Sequence, residues 1–176
     1  MTFEKPKPWP MVGVPVFLEP AAAKYLRHQH SEPFVVNLKS LLGSVIQLSL
    51  QKKVHTIASL PPVRCKELTA VYKCSVTAPV AYRQGTEVGW DSCFHINKLV
   101  LRAMYAELML SLLYGHLICG KTDIQPCIEE FRDCYDILEK ELPDERLRKM
   151  YYRIRKSHGE DPAFYVRFLP SKLLFH

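Results

Sequence analysis

DIQPCIEEFRDCYDILEKELPDERLRKMYYRIRK, residues Asp123 to Lys156, decides how the rest of the chain is read. With Asp123 as a cap and Pro126 in the first turn, where a missing N–H costs little, Ile124, Cys127, Ile128, Phe131, Cys134, Tyr135 and Leu138 fall on one helical face. The opposite face carries Glu129, Glu130, Asp133 and Asp136, an acidic exterior that should avoid phosphate. Leu142-Pro143 breaks this helix, because the residue before a proline is pushed out of the helical region, and Asp144 offers a fresh N-cap. In the second helix, expected over 145–157, Leu147, Met150, Tyr151 and Ile154 form an apolar stripe while Lys149, Tyr152 and Lys156 point away from it. Arg148 and Arg155 flank one side of that outward face, and Arg146 and Arg153 flank the other.

Charge reverses at the turn: residues 123–145 hold nine acids against two bases, and residues 146–156 hold six bases and no acid. A helix-turn-helix needs this polarity if only its second helix is to enter the major groove. The expected partner is therefore duplex DNA, with Lys149, Tyr152, Arg148 and Arg153 reaching bases and Arg146, Arg155 and Lys156 holding phosphates. The rival is a helical hairpin whose solvated basic face meets an acidic protein surface, in a structural or adaptor protein. Salt-dependent binding to duplex DNA separates the two, and competition between duplex DNA and RNA tests a third partner, for which no RRM or KH signature is present.

Around this stretch, 176 residues with 48% hydrophobic content are enough for one well-buried core. The net charge of +6 is concentrated in the closing helix, which favours a docking surface over a generally basic protein. The opening MTFEKPKPWP has no apolar run of signal-peptide type and suits an extended arm, so a cytoplasmic location is expected. Cys65, Cys74, Cys93, Cys119, Cys127 and Cys134 are then read as reduced core thiols.

Val12 to Leu18 leans towards a strand that Pro15 confines to an edge, and Glu19-Pro20 opens a helix over 21–28. Phe34 to Leu38 reads as a strand, Leu41 to Leu50 suits either strand or helix because its periodicity is mixed around Gly43, with helix favoured, and Leu68 to Ala78 reads as the strongest strand, with β-branched residues in alternation. Asp91-Ser92 should cap the longest helix, which runs to about Cys119 and ends at Gly120. That helix is apolar on almost every side, but Arg102, Glu107 and His116 argue for a core helix over a membrane span. Its apolar surface and the tail Asp161 to His176, with Phe164, Tyr165, Phe168, Leu173 and Phe175, could hold a second protomer or another protein.

Other chemistry is sparse. His28 and His30 stand at i, i+2 and diverge on a helix, no CxxC or HExxH is present, and a core role outweighs a zinc site for Cys119, Cys127 and Cys134. Asp91-Ser92-Cys93 with His95 is the nearest approach to a nucleophile beside a base, but its position at a helix start explains the Asp and Ser as caps. Neither a P-loop nor a dinucleotide fingerprint appears among only seven glycines. No cofactor, metal or enzymatic activity is expected.

The segment LEP...KYL from Leu18 to Leu26, the strand leading into a long apolar helix, and the closing ELPDERLRKMYYRIRK from Glu141 resemble small proteins of Bacteroidetes prophages and mobile elements. The resemblance implies a C-terminal unit similar to homeodomain-like helix-turn-helix proteins and a transcriptional or replication role, and supplies no mechanism. The expected architecture is α+β: a small N-terminal sheet packed on a long central helix, followed by the helix-turn-helix. Residues 1–90 form the α+β part with its arm, 91–160 the helical part with the helix-turn-helix at 123–157, and 161–176 the apolar tail.

Overall fold

The computed structural model describes residues 9–52, 61–117 and 123–158. The arm over residues 1–8, the helix end at Cys119 and Gly120, the apolar tail and the side chains of His116 and Ile154 lie outside what is described. The architecture is α+β, with six α-helices and a small mixed sheet among the described residues.

The sheet is built around β4 (Ala70–Thr77), the β-branched run expected to be a strand. β1 (Met11–Leu18) pairs antiparallel with it, from Met11 opposite Thr77 to Leu18 opposite Ala70, and β2 (Phe34–Val35) lies parallel on its other side. The pleat sends Val14, Val16 and Leu18 of β1 and Tyr72, Cys74 and Val76 of β4 into the core. Pro15 is tolerated because β1 is an edge strand and needs no outward N–H. β3 (Leu50–Gln51) and β5 (Glu87–Val88) form a second, two-stranded antiparallel pair.

Helix α1 (Pro20–Gln29) starts on Pro20, and its buried Ala21, Ala22 and Ala23 let the backbone come close to the core. Helix α2 (Leu41–Leu48) is capped by Ser40, whose hydroxyl accepts from the Gly43 N–H at 3.0 Å. The strand expected over Phe34 to Leu38 is only two residues long, because Asn37 turns the chain: its side chain accepts from Lys39 N–H at 2.9 Å. A short helix, α3 (Ala78–Gln84), follows β4 where the sequence pattern predicts no helix. It stops at Gly85, whose φ of +100° only glycine adopts freely and whose backbone passes too close to Gln51 to leave room for a side chain.

The central helix α4 (Trp90–Leu117) starts two residues earlier than a cap at Asp91 would place it, with the Gly89 carbonyl accepting from Cys93 N–H. Asp91 therefore sits inside the first turn, where its charge suits the helix dipole and meets Arg64, and it does not act as the cap. Ile96, Val100, Met104 and Leu108 are fully buried against neighbours that include β1, α1 and α5, while Lys98 and Arg102 face solvent. No helix among the described residues is long and apolar enough to cross a membrane. Buried side chains from Val14 to Tyr151 form one cluster, so the N-terminal and helical parts share a core.

Helix α5 (Gln125–Cys134) corrects the expected hairpin in three places. Ile124, not Asp123, holds the cap position; Asp123 instead accepts from Gln125 N–H at 3.0 Å in a local turn. The helix ends at Cys134, four residues short of Leu138, because Asp136 takes φ 52° and the N–H groups of Asp136 and Ile137 reach back to the carbonyls of Asp133 and Arg132. Ile137 is thereby buried, while Leu138 and Cys134, both expected inside, are exposed. The connection to α6 (Asp144–His158) spans residues 135–143, longer than the three or four residues of a helix-turn-helix turn. Pro143 marks the break as expected, its carbonyl accepting from Arg146 and Leu147, so Asp144 begins the helix and does not cap it from outside.

Candidate nucleic-acid interface

Helix α6 is fixed by Leu147 and Tyr151, both buried, with Met150 half-buried beside them. Its first turn is clasped by α5: Asp144 pairs with Arg132 at 2.8 Å and accepts from Gln125 Nε2 at 2.6 Å. The same Gln125 accepts from Arg148 through its Oε1, at 2.6 Å from NH2. The basic helix is thus anchored at its acidic start.

All the expected contact residues lie on this helix, and the structure divides them between two flanks. Arg148 leans towards α5, and Tyr152, 58% exposed, stacks edge-on against Tyr151 on the same side. Lys156 is exposed and Arg155 is half-buried. On the other flank Arg146, Lys149 and Arg153 line a groove of about 560 Å³ between α6 and α4, closed by Tyr105, Pro143, Glu145 and Met150.

Several of these cations already have partners. Lys149 bonds to Glu145 one turn earlier at 2.7 Å, which holds the Glu145 carboxyl below the usual carboxylate range. Arg146 lies 5.9 Å from the centre of the Tyr105 ring and 3.9 Å from a Glu19 carboxylate oxygen. Glu19 is held in turn by the buried Asn97, which donates to its side chain at 2.8 Å and accepts from its backbone N–H at 2.9 Å. Burial raises the Tyr105 phenol, against the opposing pull of Arg146, and its buried hydroxyl has no hydrogen-bond partner among the described residues. Tyr105 and Glu19 were invisible from sequence as parts of this surface; they reach Arg146 from α4 and from the start of α1, and no local spacing announces such a contact.

Behind the interface a polar knot sets the position of α5. The Glu107 carboxylate of α4 accepts from the Tyr25 hydroxyl at 2.7 Å through one oxygen and from the Tyr135 hydroxyl through the other. Gln29 adds weaker contacts to Glu107 and Tyr135 at 3.4 and 3.3 Å. Burial, and then the hydrogen bond and charge of Glu107, push both phenols well above the ordinary tyrosine value. Lys24 supports the connection from α1, reaching Glu141 at 2.9 Å and the Asp136 carbonyl at 2.6 Å.

The other constellations do not converge. Cys93 is buried with its thiol pushed up to about 11 by burial, whereas His95 is exposed and Asp91 meets Arg64. His28 packs against Tyr135 and His30 against Phe34. Among the described residues no three His, Cys, Asp or Glu side chains gather as a metal site would require. No family model, curated protein or solved structure matches the chain.

Proposed function

We propose that this protein binds duplex DNA through α6, as a transcriptional or replication regulator of a mobile element working in the cytoplasm. One observation carries this reading: a helix anchored by Leu147 and Tyr151 holds Arg146, Arg148, Lys149, Tyr152, Arg153 and Lys156 at the surface, with no acid after Glu145. A cationic helix of this kind matches phosphate in charge, and Tyr152 adds a side chain that can meet base edges.

The test is fluorescence anisotropy on a labelled duplex over a series of salt concentrations. Affinity should fall steeply with salt, and Lys156→Gln should flatten the slope of log affinity against log salt by roughly one unit, as expected for one lost phosphate contact. Tyr152→Ala and Arg148→Gln should each weaken the preferred sequence by about 1–3 kcal/mol. A second reading has its own support. The connection over residues 135–143 is long, and Asp144 and Glu145 stand at the start of α6, where a recognition helix presents its base contacts. If no duplex binding is measurable at about 50 mM salt, where electrostatic attraction is strong, α6 serves an acidic protein surface in an adaptor or structural protein.

A further inference from the structure

The charge reversal between α5 and α6, a step along the chain, becomes in the folded protein two strips lying side by side. Glu129, Glu130 and Asp133 are exposed along the outer face of α5, and Arg148, Tyr152 and Lys156 are exposed along α6 at i, i+4 and i+8. Gln125 joins the two: its amide nitrogen donates to Glu129 at 2.8 Å while its amide oxygen accepts from Arg148 at 2.6 Å.

Neither strip is neutralised within the chain. Glu130, Asp133 and Lys156 form no ion pair among the described residues, and Arg148 is bonded to an amide that carries no charge. The one base of α5, Arg132, is taken up by Asp144, which leaves the outer face of that helix acidic. Two adjacent strips of opposite sign make a surface complementary to itself. Turn a second copy about a two-fold axis that lies between the strips and runs along them, and the acidic strip of each copy faces the basic strip of the other, so every attraction is made twice. Tyr152, 58% exposed, stands in the basic strip as the aromatic side chain that such a contact would bury.

We propose that this face is an isologous dimer interface, with α5 of one copy against α6 of the other. The contact is made largely of solvated charge with one large aromatic from each copy, so the dimer is weak and comes apart in salt. The inference does not rest on duplex binding. Where both occur, duplex and partner copy compete for Arg148, Tyr152 and Lys156, and self-association is the state in which the basic helix is covered.

Sedimentation equilibrium of the full chain without nucleic acid tests it. The chain should be largely dimeric at about 100 µM protein in about 50 mM salt and monomeric in about 500 mM salt, where screening is stronger. Glu130→Lys with Asp133→Lys, and separately Arg148→Glu with Lys156→Glu, should each weaken self-association at least about tenfold with the circular dichroism spectrum unchanged. Lys156→Glu alone should show the same loss to a smaller degree, which keeps the test intact if Arg148→Glu disturbs α6. Mixing the two double variants gives one chain with bases on both strips and another with acids on both, and a heterodimer about as tight as the parent dimer should form. A parent chain that stays monomeric at about 100 µM in low salt overturns the proposal and leaves the strips to a different protein. So does a dimer indifferent to both double variants, or a mixture in which the two stay apart.

Discussion

Replacing Glu107 by leucine should loosen the junction of α1, α4 and α5 through hydroxyls left without an acceptor. Tyr25 is fully buried and Tyr135 is nearly so, and Glu107 is the acceptor for both. A buried hydroxyl that loses its partner costs about 1–3 kcal/mol, so the two together place the loss at roughly 2–6 kcal/mol, reduced slightly by the added apolar contact of leucine. Tyr25→Phe alone removes one bond to a carboxylate and should cost about 1.5–3 kcal/mol. In the Glu107→Leu background the same change deletes an orphaned hydroxyl and should be neutral or stabilising. Residues 25 and 107 should therefore show a coupling energy above about 1 kcal/mol in a double-mutant cycle. Urea unfolding followed by far-ultraviolet circular dichroism supplies the four free energies, provided the slopes agree. If the two changes add to within about 0.5 kcal/mol, as independent sites do, the carboxylate does not hold these helices together and the argument fails.

Alkali should unfold the protein through its tyrosines. Burial first, and Glu107 in addition for Tyr25 and Tyr135, raises the phenols of Tyr25, Tyr72 and Tyr135 in the folded state, so the stability they contribute is complete below about pH 10 and is lost as pH climbs beyond it. Absorbance near 295 nm should rise together with loss of the helical signal, and ionisation of all tyrosines with the helices intact would contradict this. Among the five described cysteines, exposed Cys134 should react first with a disulfide reagent at pH 8, while Cys74 and Cys93, raised by burial to about 12 and about 11, react only on unfolding; rapid labelling of Cys74 or Cys93 in the folded protein, located by peptide mapping, would refute that order. Leu108→Asp puts a charge at a fully buried position of α4 and should cost more than about 4 kcal/mol, so an unchanged melting temperature would remove α4 from the core.

What could be read from sequence was what local pattern controls. β4 announces itself by Val71, Val76 and Thr77 in an alternating run, α1 by Pro20, and the inner face of α6 by Leu147 and Tyr151, and all three lie where expected. The errors come where a boundary depends on one backbone angle. Asp136 adopts a left-handed turn more typical of glycine, so α5 closes early and the inward position passes from Leu138 to Ile137. Helix α3 buries none of its residues and therefore has no periodic face to betray it, and β3 and β5 are too short for any alternation. The basic residues of the candidate interface were legible as a set, and so was the separation of Arg148 from Arg146 and Arg153, because helical spacing alone divides them. The contact of Tyr105 with Arg146 was not, since it comes from a different helix.

The register of the sheet carries a lesson about synthesis. β1 is made well before its partner, which begins at Ala70, and Met11 finds Thr77 only after α1 and α2 have been made. Until then Val14, Val16 and Leu18 have no β4 to pair beside, and the long loop to be closed makes the pairing slow compared with helix formation. A nascent chain stalled before residue 70, or a truncation there, would present an unpaired apolar strand to its neighbours. For this protein the vulnerable interval opens with the synthesis of β1 and ends when the central strand arrives.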